Sequence, residues 1–277
     1  MHLSISAGLA VFAISLTAVA AAQRTARIDA PAGGVTVPMK SFGGRPVVDV
    51  TINGDAHAMV LDTGASRTVI DPERLGGETG PGVVKALGIG ALKLYDLAVG
   101  RQRLPTLPNP PADVPVGVLS ASEFPGYLLT LDYPKQTISI TRGALPPADG
   151  KRVFEYDASH VLPVAPVVVA GRTCVIHVDS GAPSGVMLPM HYAKELPLAA
   201  ELTPAGKART VAGEFEVFTA PVKGAITLGE FTLEVPSVRF SDLRPGPMPG
   251  IGHFGYEVLK TFRLTFDSAN RRLRFER

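Results

Sequence analysis

The sequence predicts an all-β protein made of two related halves, and three observations carry that reading. Its apolar runs are short and rich in Val, Ile, Leu and Thr, and 25 Pro and 29 Gly punctuate its 277 residues. Such a pattern favours many strands and turns over long helices. The stretch "VLDTGASRTVI" at residues 60–70 returns as "HVDSGAPSGVM" at residues 177–187. The two halves also end alike, in "LTLDYPKQTISI" and "RLTFDSANRRLRF".

Taken in order, residues 1–22 read as a signal peptide or an N-terminal anchor. Leu3 to Ala22 is free of charge, and "TAVAAAQ" offers small residues for cleavage before Gln23. Twenty apolar residues could also span a bilayer if left uncleaved. Export to a periplasm or beyond is the expectation in either case. Residues 23–39 form an N-terminal segment, short for a propeptide. The first half follows at 40–148, the Pro-rich "GALPPADGKR" joins it to the second, and the second half occupies 149–277.

Residues 46–72 align with 163–189 without a gap, pairing Pro46 with Pro163, Gly54 with Gly171, Asp62 with Asp179 and Gly64 with Gly181. In each copy a β-rich run reaches a Gly turn, and a second run ends on the Asp. A hairpin that delivers the Asp at its exit is the simplest geometry. "VKALGIGALKLY" and "ARTVAGEFEVF" are further Gly-centred hairpin candidates. Each half closes with a strand, a turn begun by Asp132 or Asp267, and another strand. The final "RRLRFER" alternates Leu273 and Phe275 with charge, as a half-exposed strand does.

Several function classes drop out. A formal charge of +2, with no Lys/Arg cluster interleaved with aromatics, gives no footprint for nucleic acid. Six scattered His lack paired ligand spacing, so no metal is expected. "GIGHFG" at 250–255 satisfies G-x-G-x-x-G, but "RPGPMP" precedes it and 22 residues follow, too few for a βαβ unit. No cofactor is expected. His177, two residues before Asp179, reads as structural. The lone Cys174, in "TCVIHV", reads as a packed thiol.

Two aspartates delivered by equivalent turns of a pseudo-twofold pair would meet near the axis. Carboxylates that close cannot both ionise easily, so one proton is shared between them. The ionised member can then take a proton from water while its protonated partner polarises a peptide carbonyl. Gly64 and Gly181 would permit the close approach. Thr63 and Ser180 supply hydroxyls able to bond to the opposite loop.

"LDTGAS" and "VDSGAP" resemble the active-site loops of the aspartic proteases, the pepsin and retropepsin group. "VGVLSASEF" and "GHFGYEVL" resemble the apolar-apolar-Gly segments behind those loops. The resemblance implies a bilobal acid-protease fold of two pseudo-twofold-related, β-barrel-like lobes with few short helices. It implies Asp62 and Asp179 as catalytic and Thr63, Gly64, Ser180 and Gly181 as their support. The activity implied is that of an aspartic endopeptidase: a two-lobed monomer, acting on polypeptides, touching a membrane only through an uncleaved N-terminus. The alternative is a catalytically silent relative that binds proteins or peptides. Ala65 and Ala182 stand where pepsin-like enzymes carry a hydroxyl, which moves the expected pH optimum to roughly 4 to 6. Ser120 departs from the Gly of the first packing segment.

Overall fold

In the computed structural model, the residues described are 26–104, 114–156, 158–160, 162–210, 213–235, 237–242 and 250–277. The leader-like residues 1–22 lie outside them, as do residues 23–25 and residues 211–212 of the second hairpin candidate. The chain is all-β, with two four-residue helices, Pro72–Leu75 and Tyr256–Leu259, among the described residues. No described helix is long and apolar enough to cross a membrane.

Both Asp-bearing runs are hairpins. Strand Arg45–Ile52 pairs antiparallel with Asp55–Asp62, and Val164–Val169 pairs with Arg172–Val178. Each turn takes two residues in the left-handed region: Asn53 and Gly54 in the first, Ala170 and Gly171 in the second. Both central residues at positive φ make the two-residue turn whose twist matches the strands it joins. The aspartates therefore leave their hairpins at matching places.

The first lobe closes into a barrel. Strand Asp55–Asp62 runs parallel to Gly117–Ser120, which pairs antiparallel with Val69–Ile70. Val69–Ile70 runs beside Leu92–Arg101, whose hairpin partner Gly80–Ile89 returns to Arg45–Ile52 through Thr51 and Gly88. The hairpin "VKALGIGALKLY" is thus two staves of this barrel. Leu92, Leu94 and Leu97 bury inside it, and its turn sits by the Asn53–Gly54 end, remote from Asp62.

The second lobe repeats the core of this order within a nine-stranded sheet. Arg172–Val178 runs parallel to Gly252–Phe254, and that strand pairs antiparallel with Val186–Pro189. "GIGHFG" therefore supplies a central strand, not a turn that opens a cofactor-binding helix. Thr203–Thr210 and Gly213–Ala220 form the second hairpin, paired onward to Val238–Ser241. Cys174 is fully buried on its strand.

A six-stranded sheet is built from both halves. Tyr127–Asp132 pairs antiparallel with Arg263–Asp267, with Thr130 opposite Thr265 and their hydroxyls 3.0 Å apart. The duplication shows in its turns as well. Asp132 accepts from the Lys135 amide at 3.0 Å, and Asp267 accepts from the Asn270 amide at 3.1 Å. Gln136 and Arg271 then take positive φ at the same step. The last strand, Arg272–Glu276, buries Leu273 and Phe275 and leaves its charged residues half-buried.

Phe275 is the hub of the second core, with its ring edge-on to those of Phe154, Phe254 and Phe262 at 5.9, 6.2 and 5.5 Å. Phe275→Ala should cost about 3 to 5 kcal/mol, the usual range for emptying a buried aromatic site. Urea denaturation measures this directly. A loss below about 1 kcal/mol would mean that the terminal strand does not anchor this core.

Candidate active site

Asp62 is the last residue of its strand, and Asp179 follows the last residue of its own. The inner strands fix both positions. Asp62 lies opposite Ser120 in the parallel ladder, and the Asp179 amide donates to Phe254 O at 3.0 Å. The two hairpins meet here, with a carboxylate oxygen of each Asp within 3.0 Å of where a Cβ on Gly64 would sit.

A reciprocal lattice holds the loops together. Thr63 Oγ1 donates to Val178 O at 2.6 Å, while Ser180 Oγ donates to Leu61 O at 2.9 Å. Each hydroxyl also accepts from the other loop's backbone: the Ser180 amide donates to Thr63 Oγ1 at 2.9 Å, and the Thr63 amide to Ser180 Oγ at 3.0 Å. Both residues are buried. A Thr or Ser hydroxyl serves here because it donates and accepts at once. All four sequence-read supports converge on the pair.

The glycines set how closely the loops approach. A Cβ on Gly64 would lie 2.6 Å from Asp179 Oδ1 and 3.0 Å from Asp62 Oδ1, and one on Gly181 would lie 2.3 Å from Asp62 Oδ2. No side chain fits in either place. The freed space goes to carboxylate oxygens instead. Asp62 Oδ1 accepts from the Gly64 amide at 2.6 Å.

Burial pushes the Asp62 carboxyl up to about 7, aided by the neighbouring Asp179 charge and opposed by the Gly64 amide and Arg45. Two other groups feel the pair. Tyr133 is buried with its hydroxyl unpartnered, and burial plus both carboxylates push its phenol up. Desolvation pushes the imidazoles of His177 and His253 down, although Asp179 pulls each up. These histidines sit opposite one another in the parallel ladder, and His253 Nε2 lies 3.1 Å from Ser184 Oγ.

The two halves brace their loops differently. Ser120, the departure from Gly, donates its hydroxyl to Ala65 O at 2.6 Å, and its amide donates to Thr68 Oγ1 at 3.2 Å. Thr68 in turn donates to Glu123 at 2.8 Å. In the second half Gly255 packs directly on Ala182, whose carbonyl a Cβ there would meet at 2.1 Å. Arg45, Tyr133, Glu123 and His253 are the neighbours that sequence reasoning missed. A signal existed for Glu123 and His253, which lie inside the "VGVLSASEF" and "GHFGYEVL" segments.

No protein-family model matches this chain, and a search of curated proteins finds no match.

Thr63→Val and Ser180→Ala each strand buried backbone partners, at about 1 to 3 kcal/mol per partner. Both variants should melt lower than the wild type. Unchanged melting temperatures would mean that the loops do not interlock.

These shifted groups should also make stability depend on pH below neutrality, with opposite signs. An imidazole held neutral by burial binds its proton more readily in the unfolded chain. The contribution of His177 and His253 is therefore complete above about pH 6.5 and lost as pH falls. Asp62 has the opposite sign: its raised value gives stability at low pH that disappears as pH rises through about 7. The pair His177→Val and His253→Val copies Val60 and Val118 of the first half, which face each other in the equivalent ladder. Relative to the wild type, the double variant should gain melting temperature as pH falls from about 7 to 5, and Asp62→Asn should lack the decline that Asp62 imposes as pH rises from its ordinary value of 3.8 to about 7. Wild-type slopes in both variants would refute these assignments.

Proposed function

We propose that the chain is an exported aspartic endopeptidase, in which a water activated between Asp62 and Asp179 hydrolyses a peptide bond. The observation that carries this reading is the reciprocal lattice of Thr63 and Ser180. It spends four buried hydrogen bonds on holding two carboxyls against each other, an arrangement that costs stability unless the pair has work to do. The resemblance of "LDTGAS" and "VDSGAP" to aspartic-protease loops supports it, and the leader-like residues 3–22 support export.

Burial and mutual repulsion keep one proton on the pair, and the ionised carboxyl acts as the base. That carboxylate takes a proton from the water as its oxygen bonds to the carbonyl carbon, while the protonated partner gives its proton to the carbonyl oxygen. A tetrahedral diol results. Proton return to the amide nitrogen then lets the C–N bond break, releasing an amine and a carboxylic acid and restoring one proton to the pair. The substrate is a polypeptide.

Full activity needs the singly protonated pair, so the rate profile should be bell-shaped, with an alkaline limb near 7 and an optimum at about pH 5 to 6. Asp62→Asn and Asp179→Asn should each abolish cleavage of an unfolded protein substrate while the fold stays intact. Pepstatin, an aspartic-protease inhibitor, should suppress the wild type. Retention of more than a few per cent of activity in either variant would overturn the dyad. A wild type that cleaves nothing between about pH 3 and 8 would favour the silent, peptide-binding alternative.

A further inference from the structure

The pair is symmetric in its carboxyls and its hydroxyls, but not in its surrounding charge. Strand Lys40–Phe42 turns through Gly43 and Gly44, both at positive φ, into Arg45–Ile52, with Phe42 opposite Arg45. Gly44 lies so close to Tyr256 that a Cβ would sit 3.0 Å from its ring. That tight turn aims Arg45 across the lobe boundary. Its Nε donates to Gly181 O at 2.7 Å, over 136 residues of sequence. By the alignment of the halves, its counterpart is the buried, apolar Leu162.

Resting on the reading of Asp62 and Asp179 as a catalytic pair, we infer that Arg45 is a positioning residue that pins the Gly181 peptide against Asp62 and places a single permanent cation beside the dyad. Gly181 leaves no room against the Asp62 carboxyl, so fixing its carbonyl fixes the gap between the carboxyls. A fixed cation favours the ionised forms of both carboxyls. Arg45 thus offsets part of the burial and repulsion that hold the shared proton, and keeps the active, singly protonated state within reach of mildly acidic pH.

The other titratable groups facing the pair cannot replace it. Tyr133, from the end of Tyr127–Asp132, is neutral, and Tyr256 packs against Tyr133 with ring centroids 6.2 Å apart. His177 on the strand of Asp179, and His253 beside it, are held neutral by desolvation, with Arg239 acting on His253. Arg45 alone among these neighbours is charged throughout the working range and bonded to a catalytic loop.

The test compares Arg45→Met, which keeps bulk and loses charge, with Arg45→Lys, which keeps charge and loses the planar donor. In the pH dependence of kcat/KM, Arg45→Met should move both limbs upward by about 1 unit, the lower end of what a nearby opposite charge does. Arg45→Lys should restore the limbs while leaving the maximal rate reduced. A carbon-13 NMR titration of the aspartate carboxyls, assigned with the Asn variants, reads the same shift without cleavage. An upward shift in a chain that cleaves nothing supports the role of Arg45 and sinks the endopeptidase reading. An active enzyme whose limbs and carboxyl titration stay put in Arg45→Met overturns the inference and leaves that reading standing.

Discussion

Two carboxyls repel each other once both ionise, and burial deepens the cost. Neither loop would hold its Asp in that position unaided. The crossed bonds of Thr63 and Ser180 make the approach compulsory, because each hydroxyl satisfies a carbonyl and an amide of the other loop in a site water does not reach. Undoing the approach would break all four bonds, stripping these partners from four backbone groups and two hydroxyls, each with its own desolvation penalty. The glycines, the inner strands and the shared sheet all serve this meeting. Gly64 and Gly181 make room for it, Gly117–Ser120 and Gly252–Phe254 back it, and the sheet beneath brings the halves to a common axis.

Most of the frame was legible in the sequence because it rests on local chemistry. Asn53–Gly54 and Ala170–Gly171 mark hairpins through backbone conformation, and Asp132 and Asp267 mark turns through side-chain bonds to nearby amides. The six residues of the two loops were readable because the repeat prints them twice. Arg45 was not, since its bond to Gly181 spans 136 residues and has no copy in the second half. Tyr133 was hidden for a similar reason: only the packing of the halves brings its hydroxyl toward the pair. The first hairpin candidate illustrates a different limit. Its glycine-centred pattern identifies a hairpin, but the burial of Leu92, Leu94 and Leu97 makes it barrel wall.

The halves have diverged in how they support one common geometry. In the first, Ser120, Thr68 and Glu123 form a polar brace, so a hydroxyl where the resemblance implies Gly adds bonds and costs no packing. In the second, Gly255 packs tightly, and the space alongside holds two histidines. Separation between matching residues grows from 117 at the loops to 135 at the sheet. The extra length lies in the second half, which carries the Thr203–Ala220 hairpin. The copies agree in the loops, in the hairpin turns that feed them and in the shared sheet, and differ in what braces each loop.

The sheet common to both halves also governs when the aspartate pair can assemble. Its central strand, Tyr127–Asp132, finds a partner in Arg263–Asp267, which pairs in turn with the terminal strand Arg272–Glu276. During synthesis the first half therefore emerges without the edge it needs, and the shared sheet is incomplete until Arg263–Asp267 and Arg272–Glu276 have been made. Contacts so distant in sequence form late and slowly, because a long loop must close before they repay its entropy. A nascent chain thus lacks the paired carboxyls, and Asp62 and Asp179 meet only once both halves are free to fold.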